Sequence, residues 1–130
     1  MKSILTPNAP QPAGHYSQAI VHGGLVFVAG QLPIDATRPG HVPATIEEQT
    51  ERALANVAAI LEAAGSGLDR VLQMTVYISD IELWGRVNVV YARIMGEHRP
   101  ARAIVPTREL HHGYLIEMQA IAAEGEGAKR

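Results

Sequence analysis

The segment Val71–Ile78, VLQMTVYI, lies between two stretches of helical spacing, and no other feature restricts the fold of this chain so strongly. Leu72, Met74, Val76 and Ile78 fall on one side and Gln73, Thr75 and Tyr77 on the other, the period of a strand with a core on one face. The stretch before it opens with Thr45-Ile46-Glu47-Glu48, a capping box with Thr45 as N-cap and Glu48 three residues on. Behind that box Ala53, Leu54, Val57, Leu61 and Ala64 form one apolar stripe, and Gly65 stands where a helix stops. After the strand, Asp80 caps a second helix to about Met95, with Leu83, Trp84, Val87, Val90, Tyr91 and Ile94 apolar, and Gly96 closes it. A half-buried strand between two amphipathic helices needs partner strands, which the rest of the chain must supply.

Pro7, Pro10, Pro12 and Gly14 make the first 14 residues an extended, irregular lead-in. In AIVHGGLVFVAG two apolar runs flank Gly23-Gly24, a hairpin signal because glycine accepts the positive φ of tight turns. Residues Gln31 to Pro43 read as loop. Two last strands are expected near Ala101–Val105 and Tyr114–Ala123, followed by a frayed tail from Glu124 to Arg130. The order β-β-α-β-α-β-β indicates an α+β fold with a mixed sheet and two helices packed on one face. The other face then carries Gln73, Thr75, Tyr77, Glu117 and Gln119 together with Leu115 and Ile121. Such a mixture fits an interface between copies of the chain that contains polar sites, or a solvated sheet face.

The 130 residues fit one domain, residues 1–130, and 47% of them are hydrophobic, enough for a core without staples. No cysteine is present, which excludes a disulfide framework, a thiolate metal site and a cysteine nucleophile. The N-terminus has no signal-peptide pattern and no apolar run approaches the roughly 18 residues that span a membrane, so the expectation is a cytoplasmic protein without membrane contact. A formal net charge of -2 with scattered basic residues argues against a nucleic-acid partner.

Arg102 stands directly before the apolar run Ala103-Ile104-Val105 and shares a strand face with Ile104. A guanidinium there is either paired with an internal carboxylate or free to grip an external one through two parallel hydrogen bonds. Glu117, inside the apolar segment YLIEMQAIA, fits a partner of Arg102, an acid/base group or a residue on a wet face. Among the 6 histidines, His111 and His112 are adjacent and would point to opposite faces of an extended segment, so no metal site is expected. Ser17, Ser66 and Ser79 lack the G-x-S-x-G elbow of serine hydrolases. Gly65-Ser66-Gly67 follows a helix and reads as its stop, not as a phosphate loop.

From Pro100 to Ala122, PARAIVPTREL…LIEMQAIA, the chain resembles the RidA (YjgF) family of reactive intermediate or imine deaminases, whose C-terminal signature is Pro-Ala-Arg, an apolar strand, then Ile-Glu-Ile/Met closing on Ala-Ile-Ala. GHYSQA at Gly14–Ala19, VAGQLPID at Val28–Asp35, NVAAILEAAG and VYISDIELWGRVNVVY match further family segments in order. The resemblance implies a chorismate-mutase-like fold and a homotrimer whose sheets form a central barrel, with sites in the clefts between subunits. It implies that Arg102 binds a substrate carboxylate, that Glu117 positions or activates water, that Tyr16 lines the pocket and that backbone around Gly30 forms another wall. The implied reaction is hydrolysis of a 2-imino acid, reached from a 2-enamino acid by tautomerisation, to a 2-keto acid and ammonia, with no metal or organic cofactor. Three departures stand out: Ile104 where many members carry cysteine, a short segment before Pro-Ala-Arg (GEHRPAR), and His15 where proline usually precedes the tyrosine. Ile104 makes that part of the pocket larger and more apolar. The rival implications are a non-catalytic trimer that binds small carboxylates or acts as a chaperone-like regulator, and a ribonuclease or translation inhibitor, which the negative charge disfavours.

Overall fold

In the computed structural model, which describes residues 1–125, Gly23 and Gly24 turn the chain at φ 61° and 80°. Strands β2 (Ala19–His22) and β3 (Leu25–Gln31) flank this turn and pair antiparallel, His22 opposite Leu25, as the Gly-Gly pair predicts. The lead-in is less irregular than its prolines imply. Its first residues form β1 (Lys2–Ile4), which pairs with β2 and buries Ile4. Three residues are too few to show a period, so only pairing reveals this strand.

Helix α1 (Ile46–Ala63) begins at the expected cap, where the Glu48 N–H donates to Thr45 Oγ1 at 3.1 Å. It ends ahead of Gly65, whose φ is 75°. Strand β4 (Val71–Ile78) departs from strict alternation at its start. Val71 pairs with Ala122 and Gln73 with Ile121, leaving Leu72 as an extra residue in a bulge. Val71 therefore joins Met74, Val76 and Ile78 in the core, and Leu72, expected there, is 49% exposed. Asp80 caps a short 3₁₀ turn, Ile81–Leu83, and α2 proper runs Trp84–Met95 with Gly96 at φ 64°.

Strand β5 (Ala101–Pro106) lies parallel to β4, whereas β6 (Ile116–Ala123) inserts antiparallel between β3 and β4. The sheet order is β1-β2-β3-β6-β4-β5. The mixed sheet with two helices is the expected fold class. Val26, Met74, Val76, Ile116 and Met118 point to the helix side and meet Leu54, Val57, Ile60 and Val87 in a single core. Burial of these side chains is the main stabilising term, about 1.5–3 kcal/mol each for the larger aliphatics.

Among the described residues the opposite face carries no helix. Tyr77 stands opposite Glu117 and Thr75 opposite Gln119, and the Tyr77 hydroxyl donates to Gln119 Oε1 at 2.8 Å. Leu115, expected on this face, packs against the core instead, because it precedes β6 and follows a turn. Of the expected tail, Glu124 is fixed by its N–H to the Gly24 carbonyl at 2.8 Å, and residues 126–130 lie outside the described part.

Candidate functional site

Buried side-chain amides fasten the walls of one pocket. Gln18 on the segment entering β2 is 1% exposed; its Oε1 accepts from the Thr6 N–H at 2.7 Å and its Nε2 donates to the carbonyls of Thr6 at 3.1 Å and Pro10 at 3.0 Å. These bonds tie the loop that carries Tyr16 to the sheet. On α1, Asn56 is wholly buried and donates to the carbonyls of Leu32 at 3.0 Å and Ile34 at 2.8 Å, fixing the loop after β3. One turn pair earlier, Gln49 Oε1 accepts from the Leu115 N–H at 2.9 Å, which sets the start of β6 just ahead of Glu117. Buried amides are stable only when their partners are in place, so the polar residues on the inner face of α1 specify where the loops lie.

Between these walls is a pocket of about 590 Å³ lined among others by Tyr16, Gly30, Gln31, His111, His112 and Glu117. The pairing of β3 with β6 shifts between Val28, opposite Ala120, and Gln31, opposite Met118. Ala29 and Gly30 occupy that irregularity. A Cβ at position 30 would stand 2.5 Å from Glu117 Oε2 and 3.1 Å from its Cδ. Glycine is thus required for the carboxylate to occupy its place. Glu117 is half-buried; desolvation pushes its carboxyl above the ordinary glutamate range, and the nearby His111 opposes that rise.

Tyr16, Gly30 and Glu117, all expected at the site, therefore share one cavity. His111 and His112 were not expected there. They do not lie in an extended segment: His112 has φ 60° inside a 3₁₀ turn, the ring centroids are 5.9 Å apart, and both residues border the pocket. Spacing alone could not reveal a left-handed residue in the turn. Among the described residues no group of three or more potential metal ligands exists.

Arg102 and Ile104 lie elsewhere. Arg102 pairs with Met74 and Ile104 with Val76, so both project to the helix side, as their shared face predicts, whereas Glu117 projects to the other. Glu117 is opposite Tyr77 and Tyr77 is beside Val105; strand spacings then put the Arg102 backbone about 14 Å from that of Glu117. Ile104 is half-buried against the core. Arg102 forms no internal ion pair among the described residues. Its Nη1 donates to Asn88 Oδ1 at 3.1 Å, and its guanidinium carbon lies 4.6 Å from the ring centre of Trp84 and 4.7 Å from that of Tyr91. The guanidinium is exposed and held, but not neutralised.

No helix among the described residues is long and apolar enough to cross a membrane. The profile of the family described as Endoribonuclease L-PSP matches residues 6–124. A RutC family protein of Pyrococcus abyssi is 47% identical over 119 residues, covering 92% of this chain and 94% of the relative. The 2-iminobutanoate/2-iminopropanoate deaminase of Rattus norvegicus is 37% identical over 124 residues, covering 95% of this chain and 90% of that one. The crystal structure of the YjgF gene product of E. coli superposes with a TM-score of 0.90 at 36% identity, covering 95% of this chain and 98% of its own. With nearly the whole chain matched, the protein belongs to the Endoribonuclease L-PSP family, the RidA or YjgF group.

Proposed function

We propose that this protein hydrolyses reactive 2-imino acids, and their 2-enamino tautomers, to 2-keto acids and ammonia, in clefts built by two copies of the chain in a homotrimer. The observation that carries this reading is the pairing of a half-buried, unneutralised carboxylate with an unneutralised guanidinium that one chain keeps on opposite sides of its sheet. A carboxylate-bearing imine needs both: a cation for its carboxylate and a base for the attacking water. Closing the mixed sheet face against a neighbour, in a barrel, supplies the second chain.

In this mechanism Arg102 grips the substrate carboxylate and aims C2 at the water. Glu117 accepts a proton as the water adds to the iminium carbon, and the resulting carbinolamine, protonated on nitrogen, expels ammonia to leave the keto acid. Tyr16 and the Gly30 backbone shape the cavity around Glu117, and Ile104 offers an apolar wall beside Arg102. The chemistry asks for positioning and a general base. The named activity of the rat relative supports the reading. The test is ammonia release from freshly generated imino acids by the wild type, Arg102→Ala, Arg102→Lys and Ile104→Cys, with the oligomeric state of each measured by light scattering. Ile104→Cys is expected to stay active with an altered preference between small and bulky imino acids. Wild-type rates in a correctly assembled Arg102→Ala protein, or a stable monomer at micromolar concentration, would sink the proposal.

A further inference from the structure

Arg102 is an exposed residue on an edge strand, where a long side chain would ordinarily sample many rotamers. Here it lies against one stripe of α2. Trp84, Asn88 and Tyr91 are spaced i, i+4 and i+7 and so fall on the same side of the helix. The two aromatic rings approach the guanidinium at 4.6 Å and 4.7 Å, and the amide oxygen of Asn88 takes one N–H at 3.1 Å. Tyr91 is itself 6% exposed, so its ring is a fixed wall. A guanidinium carries five N–H donors in a planar fork. Among the described residues only one of these meets a side-chain acceptor, and that acceptor is neutral. The charge therefore remains available, and so do the donors of a two-point grip.

We infer that Trp84, Asn88 and Tyr91 are a positioning cradle that presents the Arg102 fork to an external monocarboxylate, with the neutrality of Asn88 deciding whether an anion can bind. This rests on the reading of Arg102 as the carboxylate-binding residue, and it adds which residues make that arginine competent. An aspartate at position 88 would keep the shape and the hydrogen-bond acceptor. It would also place a carboxylate on the fork and a like charge beside the incoming anion. A merely structural role for Asn88 is satisfied by Asp; a role in anion binding is destroyed by it.

The experiment uses 2-oxobutanoate as a stable monocarboxylate probe. Its binding is read by calorimetry and by the fluorescence of Trp84, the 1 tryptophan in the chain, beside wild-type kinetics with imino acids. Asn88→Asp should weaken 2-oxobutanoate binding and raise KM by roughly tenfold or more, with kcat nearly unchanged and thermal stability kept. Trp84→Leu should raise KM by about 2- to 30-fold, the range of a cation–π contact, and Trp84→Phe should restore most of it. An Asn88→Asp protein that binds the probe and turns over substrate like wild type overturns the inference while leaving the deaminase reading intact. A wild type that binds the probe in an Asn88-dependent way but hydrolyses no imino acid supports the cradle and removes the deaminase. Wild-type protein that does not bind the probe at all refutes both.

Discussion

Glu117 occupies a cavity whose walls are fastened by wholly or nearly wholly buried amides, whereas Arg102 rests on an open edge strand, steadied by two aromatic rings and one amide of α2. The contrast follows from what each charge must do. A carboxylate in water is a weak base; removing part of its solvent raises its affinity for a proton. That requires concavity, and concavity requires loops held in place by Gln18, Gln49 and Asn56. A guanidinium needs no such tuning, since it stays charged at any working pH. It needs orientation and an unneutralised fork, which an edge strand and a helix stripe provide without a cavity.

The largest effects should separate the two regions by kinetic parameter. Glu117→Gln keeps the shape and removes the base, so kcat should fall by about 10²- to 10⁴-fold with little change in KM. Arg102→Ala should cost about 10- to 150-fold in kcat/KM from the lost charged hydrogen bonds alone, mostly through KM, and Arg102→Lys should recover only part of it. Steady-state rates across a substrate range decide this. If Arg102→Ala lowered kcat and spared KM, the division of labour between the regions would be wrong.

Mixing these two variants sharpens the comparison. If a site takes its arginine from one chain and its glutamate from another, co-assembled Arg102→Ala and Glu117→Gln chains regain intact pairs at about a quarter of the sites of a closed ring. A site confined to one chain regains none. Ammonia release from refolded one-to-one mixtures, compared with each variant alone, distinguishes the two arrangements.

Gly30→Ala should have the next largest effect. The new Cβ would stand 2.5 Å from Glu117 Oε2, so the carboxylate must move. A displacement on the order of 1 Å at the reacting group costs up to about 100-fold in kcat. Wild-type kcat in a folded Gly30→Ala protein would show that Glu117 has room to spare and that the β3–β6 irregularity has another purpose.

The helices, the Gly-Gly hairpin and most strands were legible because each carries a local period or stop signal that burial reinforces. Leu72 misled because one inserted residue reverses the parity of everything before it, and nothing local announces a bulge. The β1 strand was hidden by its brevity. At the site, Glu117 and Arg102 stood out as charges within apolar strands, and Ile104 shared the Arg102 face as alternation required. Their placement on opposite sides of the sheet depends on β6 inserting between β3 and β4, a pairing that no single segment encodes. The His111–His112 pair escaped notice for a smaller reason, the positive φ of His112 in a turn that borders the same cavity.

That pair supplies the finest test of the Glu117 region. Burial holds the Glu117 pKa above its ordinary 4.5 and His111 pulls it back down. A general base works only when ionised, so the acid limb of the kcat–pH profile should lie above 4.5. Removing the histidine removes that downward pull, and His111→Ala should move that limb to higher pH. The same sign governs stability. A carboxyl whose folded pKa is raised favours the folded state when protonated, so its contribution is complete below the unfolded pKa and is lost as pH rises through the folded value. Glu117→Gln should therefore melt higher than wild type at neutral pH and lose that advantage as the solution is acidified below the ordinary glutamate range. Profiles of kcat and of Tm against pH for wild type, His111→Ala and Glu117→Gln test this directly. A limb that stays fixed in His111→Ala would mean that the field at Glu117 is set by groups other than the histidine beside it.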